Sequence, residues 1–311
     1  MTTRSLVPGG LFGVFQNCAV CCGAFVAALI VIAAIVVLLL LRPNPPPDYA
    51  RIPLVDDQAW NELTSQGWQW TQSAAAANMP PRIAERSEAP VSPVNVLAMN
   101  YDGTDRDSAP VTFWHTLPSA TRIYYEFSYY MTPNWECSPA GCGKISFVFP
   151  ASGGDAYIGV YCKTDPAGTG ACPGPFTNNE MIIGGQLQFD AGANYPLGVP
   201  ILANKTKTPI YAGRWYQIAV FHQWSSTPTA NDGIWRIWVD GILNLELTDV
   251  KYSIPPAIEF QYSMTRQVPP VAPGQEVYVD NTILRADNGV IRRVDVQAPP
   301  ADRSRPMVPL P

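Results

Sequence analysis

The chain is predicted to be all-β, folded as two antiparallel sheets packed face to face, behind a single apolar N-terminal helix. Three observations support this. The 311 residues include 32 prolines and 23 glycines with only 14% charged residues, a composition that favours many turns over long helices. Several segments alternate apolar and polar side chains with period two, as half-buried strands do. Finally, Ile234 to Val239 is β-branched and aromatic, and Asp240-Gly241 follows with the two positive φ angles a tight hairpin turn needs before Ile242 to Leu247.

Taken in order, residues 1–18 form a short leading segment. Ala19 to Leu41 is an uncharged run of 23 residues, about 34 Å as a helix, and is predicted to span a membrane once. Its apolar end runs directly into Arg42-Pro43 without a small-residue cleavage site, so an uncleaved anchor is expected. Residues 42–56 read as a stiff Pro-rich spacer, and Asp56 to Gln66 as one short helix capped by Asp56. The globular domain is expected over 57–288, with Ser73 to Pro93 as loop and 289–311 as a Pro-rich disordered tail. Asn204-Lys-Thr206 matches a glycosylation acceptor, and Gly184-Gly185 reads as a bulge.

Charge does not settle orientation across a membrane, since Arg4 precedes the apolar run and Arg42 and Arg51 follow it. The cysteines point to one. Cys137, Cys142, Cys162 and Cys172 lie in Pro/Gly-rich stretches; they permit three pairings, and the short separations favour Cys137 with Cys142 and Cys162 with Cys172. Such pairing belongs to an oxidising compartment, which places the domain outside the cytoplasm.

The alternation also assigns faces. In Arg122 to Met131, Ile123, Tyr125, Phe127 and Tyr129 point one way, and Arg122, Tyr124, Glu126, Ser128 and Tyr130 the other. Ile145, Phe147 and Phe149 oppose Lys144 and Ser146; Leu187 and Phe189 oppose Gln186, Gln188 and Asp190; Trp235, Ile237 and Val239 oppose Arg236 and Trp238. On this reading one sheet surface collects Arg122, Tyr124, Glu126, Tyr130, Lys144, Gln186, Gln188, Arg236 and Trp238. Flat aromatic rings with Arg, Lys and amide groups suit a sugar polymer, with the cations facing uronate carboxylates. His222 shares parity with Tyr216, Ile218 and Val220 and is expected to be a hydrogen-bonded core histidine, not a base.

These residues also carry a resemblance. Gly213-Arg-Trp-Tyr216, the loop ending Asn231-Asp-Gly233, and Arg236-Ile-Trp-Val-Asp-Gly241 resemble the signature of concanavalin-like jelly rolls related to polysaccharide lyase family 14, which includes alginate lyases. Tyr125 to Phe149 is similar to that family's strand, Pro-Asn-Trp loop and Gly-Lys strand, and Val277-Tyr-Val-Asp280 to its closing strand; the likeness covers roughly residues 90–287. The resemblance implies β-elimination on a uronate polymer. Lys144 takes the Gly-Lys position, Tyr124 or Tyr130 serves as acid or base, and Arg122 or Arg236 holds the carboxylate. The chain departs from the family at Gln186 and Gln188, where alginate-cleaving members carry Arg and Tyr. Amides hydrogen-bond sugar but do not take a proton at neutral pH, so a non-catalytic carbohydrate-binding or structural surface protein on the same fold is the alternative.

Other functions are excluded by what is missing. Only Arg4 and Arg42 of the 20 basic residues, and none of the 25 acidic ones, fall in the first 42 positions, so the remainder carries −7 and offers no basic cluster for nucleic acid. Glu126, Glu180, Glu246 and Glu259 are isolated, without the paired carboxylates of a retaining glycosidase. With two histidines and no Cys-x-x-Cys in the domain, no metal site or cofactor is expected, and no EF-type spacing supports a structural calcium.

Overall fold

A computed structural model describes residues 52, 54–58, 60, 62–64, 67–72, 80–101, 111–138, 141–163, 172, 180–265 and 274–288. They belong to one compact unit, Pro46–Pro311. The expected membrane span (19–41) and the tail (289–311) lie outside the described residues. Among those described, no helix is long and apolar enough to cross a membrane.

The described chain is built of strands: β1 (Leu54–Gln58), β2 (Trp68–Gln72), β3 (Arg82–Ala84), β4 (Val96–Tyr101), β5 (Val111–Ala120), β6 (Arg122–Met131), β7 (Gly143–Pro150), β8 (Ala156–Cys162), β9 (Met181–Leu187), β10 (Trp215–Gln223), β11 (Gly233–Val239), β12 (Ile242–Val250), β13 (Ala257–Thr265) and β14 (Gln275–Asp287). The first sheet runs β12-β11-β10-β6-β14-β4-β3, with β1 also paired to β14; the second runs β2-β5-β13-β7-β8-β9. All named pairings are antiparallel. This agrees with the expected all-β jelly-roll sandwich.

The inward faces meet in one core. Tyr125, Phe127, Ile218, Val220, Trp235, Ile237 and Val279 come from the first sheet, and Phe113, Ile158, Val160, Ile183, Phe260 and Tyr262 from the second. Burial of these large side chains supplies the main drive for joining the sheets, at about 25 cal/mol per Å² of apolar surface removed from water. Asp240 and Gly241 take φ of 50° and 73°, so the β11–β12 hairpin forms as predicted.

Three local expectations are corrected. Asp56 caps no helix: it lies in β1, its carboxylate accepts a hydrogen bond from the buried Trp68 indole, and pairing with β14 supersedes local helix propensity. The stretch expected as loop over Ser73 to Pro93 contains β3. Gly184 and Gly185 pair with Gly159 and Ile158 in unbroken register, not as a bulge. They are needed for close approach instead: a Cβ on Gly185 would lie 2.4 Å from the Trp235 ring, and one on Gly184 2.7 Å from the Ile201 carbonyl oxygen.

Edge strands expose unpaired backbone groups, and one segment covers one edge of each sheet, β9 and β12. Ile201 exchanges backbone hydrogen bonds with Gly185, and Ile210 with Met181, along β9. Between them, the Asn204 side chain bonds the backbone N–H and carbonyl of Glu246 in β12, and Lys205 N–H bonds the Asn244 carbonyl. Residues 201–210 thus close the free side of β9 and of β12, which removes the risk that open edges carry.

Candidate functional site

The outward face of the second sheet carries the candidate site. Register places Gln69, Trp114, Gln261, Phe147, Tyr157 and Gln186 in a single row across all six strands. Their chain neighbours Phe113, Phe260, Tyr262, Val148, Ile158 and Leu187 fill the core, so the row faces outward. Three amides and three aromatic rings share the row with little charge, a composition suited to hydrogen-bonding and stacking on sugar rings.

Lys144 joins this face, though not this row, because of a bulge. Sequence parity set Lys144 and Ser146 opposite Phe147 and Phe149; the register of β7 slips between Lys144 and Ser146, so Lys144 faces outward with Phe147. Ser146 turns inward, is fully buried, and its Oγ donates to the Tyr125 hydroxyl at 3.2 Å. A single extra residue reverses the alternation downstream, which a period-two reading cannot detect.

Around Lys144 the groups are tightly organised. Its Nζ sits 4.4 Å from the Tyr157 ring centroid and 5.7 Å from that of Phe147. The Tyr157 hydroxyl donates to Gln186 Oε1, which also accepts from Gln188 Nε2 at 2.9 Å. Asp155 adjoins: its carbonyl accepts from the Gln188 backbone N–H at 2.8 Å. Burial lowers the Lys144 pKa and raises that of Asp155, each partly offset by attraction to the other. Burial also pushes Tyr157 up to about 12, so its phenol stays protonated and able to donate. Tyr161 lies beside it, buried against Ile182 and Ala203, and burial raises its pKa as well.

The remaining candidates lie on the other side of the molecule. Arg122, Tyr124, Glu126, Tyr130, Arg236 and Trp238 face outward from β6 and β11 in the first sheet, with the whole core between them and Lys144. The expectation that one surface collects all nine residues is therefore corrected: alternation tells inward from outward but not which sheet a strand joins. On the first sheet these groups are engaged with one another. Arg122 pairs with Asp287 at 2.5 Å, Arg236 with Glu246 at 2.9 Å, and the Tyr124 hydroxyl donates to Glu126 at 2.6 Å. Tyr130 lies beneath Arg86, whose guanidinium is 5.1 Å from its ring, and Trp238 is buried in a cluster with Tyr124, Phe221 and Ile52.

Sequence reasoning passed over Tyr157, Tyr161, Asp155, Trp114 and Gln261. The alternation of Tyr157, Gly159 and Tyr161 against Ala156, Ile158 and Val160 is present in β8, but every member is buried and none stands out as polar. His222 is a core residue, its Nδ1 3.0 Å from the Tyr252 hydroxyl and its ring stacked on Trp235, with burial lowering its pKa to about 3. The disulfides pair Cys137 with Cys142 and Cys162 with Cys172, as the separations favoured.

No known protein family matches the chain's sequence, and no characterised protein matches it. Among solved structures, the chain is similar to the alginate lyase Aly36B (12% identity, 76% of this chain and 98% of that one, TM-score 0.48). It is similar to the same extent to the alginate lyase vAL-1 from Chlorella virus (12% identity, 76% and 100%, TM-score 0.48). The endo-β-1,4-glucuronan lyase from the fungus Trichoderma reesei follows at 13% identity, 70% and 95% coverage, and TM-score 0.41. Likenesses this distant leave function to be read from this chain's own residues.

Proposed function

We propose that the chain binds a uronate-containing polysaccharide across the outward face of the second sheet. The supporting observation is the row of three amide and three aromatic side chains from Gln69 to Gln186, with Lys144 beside its Phe147 and Tyr157. Strand spacing gives that row a span of about 24 Å, room for several sugar rings. Lys144 meets one carboxylate, Gln186 and Gln188 bond hydroxyls, and the partly exposed Trp114 provides flat apolar contact, while the buried Phe147 and Tyr157 back Lys144. The uncharged run Ala19–Leu41 supports anchoring to a membrane, and the disulfides support an extracytoplasmic domain.

A second reading, β-elimination, is favoured by one observation: the lowered proton affinity of Lys144 next to a protonated phenol. Unprotonated Lys144 takes the C5 proton, the amides of Gln186 and Gln188 bond the uronate carboxylate, and Tyr157 donates its proton as the glycosidic C4–O bond breaks. The two readings differ in sign with pH. Binding through the Lys144 ammonium weakens as pH rises through its lowered pKa, whereas elimination speeds up.

The test titrates the full chain with uronate and neutral oligosaccharides and follows absorbance of the unsaturated product. Lys144→Ala should weaken binding of the uronate polymer about tenfold and of the neutral one little. Uronate binding that survives both Lys144→Ala and Gln186→Ala would rule out this face.

A further inference from the structure

The four domain cysteines stand far apart by pairs in sequence, with separations of 5 and 10 inside each pair, and the sequence shows no metal-binding signature. The fold brings all four to one point. Cys137 follows β6 and Cys142 precedes β7; the Cys142 N–H bonds the Val160 carbonyl at 2.9 Å, which sets it beside the end of β8, where Cys162 lies. Their three Sγ atoms and that of Cys172 lie within 4.8 Å of one another, all buried. The two disulfides touch: Cys142 Sγ is 3.3 Å from Cys172 Sγ and 3.8 Å from Cys162 Sγ. A thioether adds to the cluster, Met181 Sδ being 3.5 Å from Cys137 Sγ.

A tetrahedral zinc site with Zn–S bonds of about 2.3 Å requires sulfurs about 3.8 Å apart. Across the pairs, Cys142 Sγ already lies 3.8 Å from Cys162 Sγ and 3.3 Å from Cys172 Sγ, and all four sulfurs lie within 4.8 Å, so small shifts reach that spacing. Only the two S–S bonds stand between this cluster and a closed four-sulfur cage, and the polarisable, apolar surroundings suit a soft cation over a hard one.

We propose that Cys137, Cys142, Cys162 and Cys172 form a four-thiolate site for one soft divalent cation of the zinc type once their disulfides are reduced. A phosphine or dithiol reductant supplies four electrons, and four protons come from water, to convert two disulfides into four thiols. The cation then displaces those four protons. Disulfide and metal forms are alternative ways of tying the same loops, chosen by the redox state around the domain. The site is independent of the polysaccharide reading, being built in the core and not on the outward face.

The test uses the full chain, reduced with a phosphine under anaerobic conditions and titrated with Co²⁺ as a spectroscopic stand-in. One Co²⁺ per chain is expected, with thiolate charge-transfer absorption that Zn²⁺ abolishes. The double variant Cys142→Ser/Cys172→Ser should lose the signal. The triple variant Cys18→Ser/Cys21→Ser/Cys22→Ser should keep it. Loss of the signal in the triple variant, or no Co²⁺ uptake by wild type that retains its β circular dichroism, would overturn the proposal. Alkylation with mass mapping guards against a variant that fails to fold: reduced wild type with Zn²⁺ should be protected at the four domain cysteines. Equal labelling of all seven would overturn the site.

Discussion

Gly185 shows how much one missing methyl decides. Its α-carbon faces the Trp235 ring, the point where β9 approaches β11, and there is no room for a Cβ. Gly185→Ala should destabilise the domain by about 1–3 kcal/mol, measured as a lowered urea midpoint. His222 supports a prediction about pH. Its pKa falls from 6.5 to about 3 on folding, so the unfolded chain binds the proton more readily. Stability from this group is complete above about pH 6.5 and is lost as pH falls toward 3. His222→Gln, which keeps a partner for Tyr252 but does not titrate, should flatten the stability profile over that window. Lys144 presents the same sign of shift on a half-buried group, since burial disfavours its charged form. Replacement by Met should leave stability unchanged or raise it by no more than ~1 kcal/mol after solvent screening, while uronate binding weakens about tenfold, as for Lys144→Ala. A gain in stability with a loss of binding would mark Lys144 as kept for function.

At the level of elements, the sequence was most legible where a strand is regular. The inward and outward sets of β6, β9 and β11 follow from alternation alone, because each runs without a shift on the side that mattered. β7 was misread because its bulge leaves no mark in composition, and β1 because its pairing partner lies more than two hundred residues away in β14. β14 itself carries a device that no local pattern announces. Asp280 is fully buried on the outward side of the first sheet and accepts from the backbone N–H groups of Val91 at 2.7 Å and Ser92 at 3.1 Å. It thereby fastens the loop between β3 and β4. Asp280→Ala leaves two N–H groups unpaired and should cost about 2–3 kcal/mol, with faster amide exchange at Val91 and Ser92 as the local signature.

Across the whole molecule, the two outward faces have different characters and should behave independently. The first sheet's face is laced with internal ion pairs and carries Ile52 packed on Tyr124 and Trp238; the second presents Lys144 with amides and rings. Arg236→Ala should therefore leave polysaccharide binding within about twofold of wild type, whereas Gln186→Ala weakens it several-fold, read by calorimetric titration. The reverse order would move the site to the first sheet.

The sequence by itself determined the class of fold, the hairpin at Asp240-Gly241, the core role of His222 and the two cysteine pairs, because each depends on residues close along the chain or on a period that repeats along it. Only the tertiary structure decided that Lys144 and Tyr124 look away from each other, that Tyr157 is the aromatic partner of Lys144, and that four sulfurs share one point. Those facts depend on which strands become neighbours across the sheets. That choice is made by long-range pairing and core packing, which leave no periodic trace in the order of the residues.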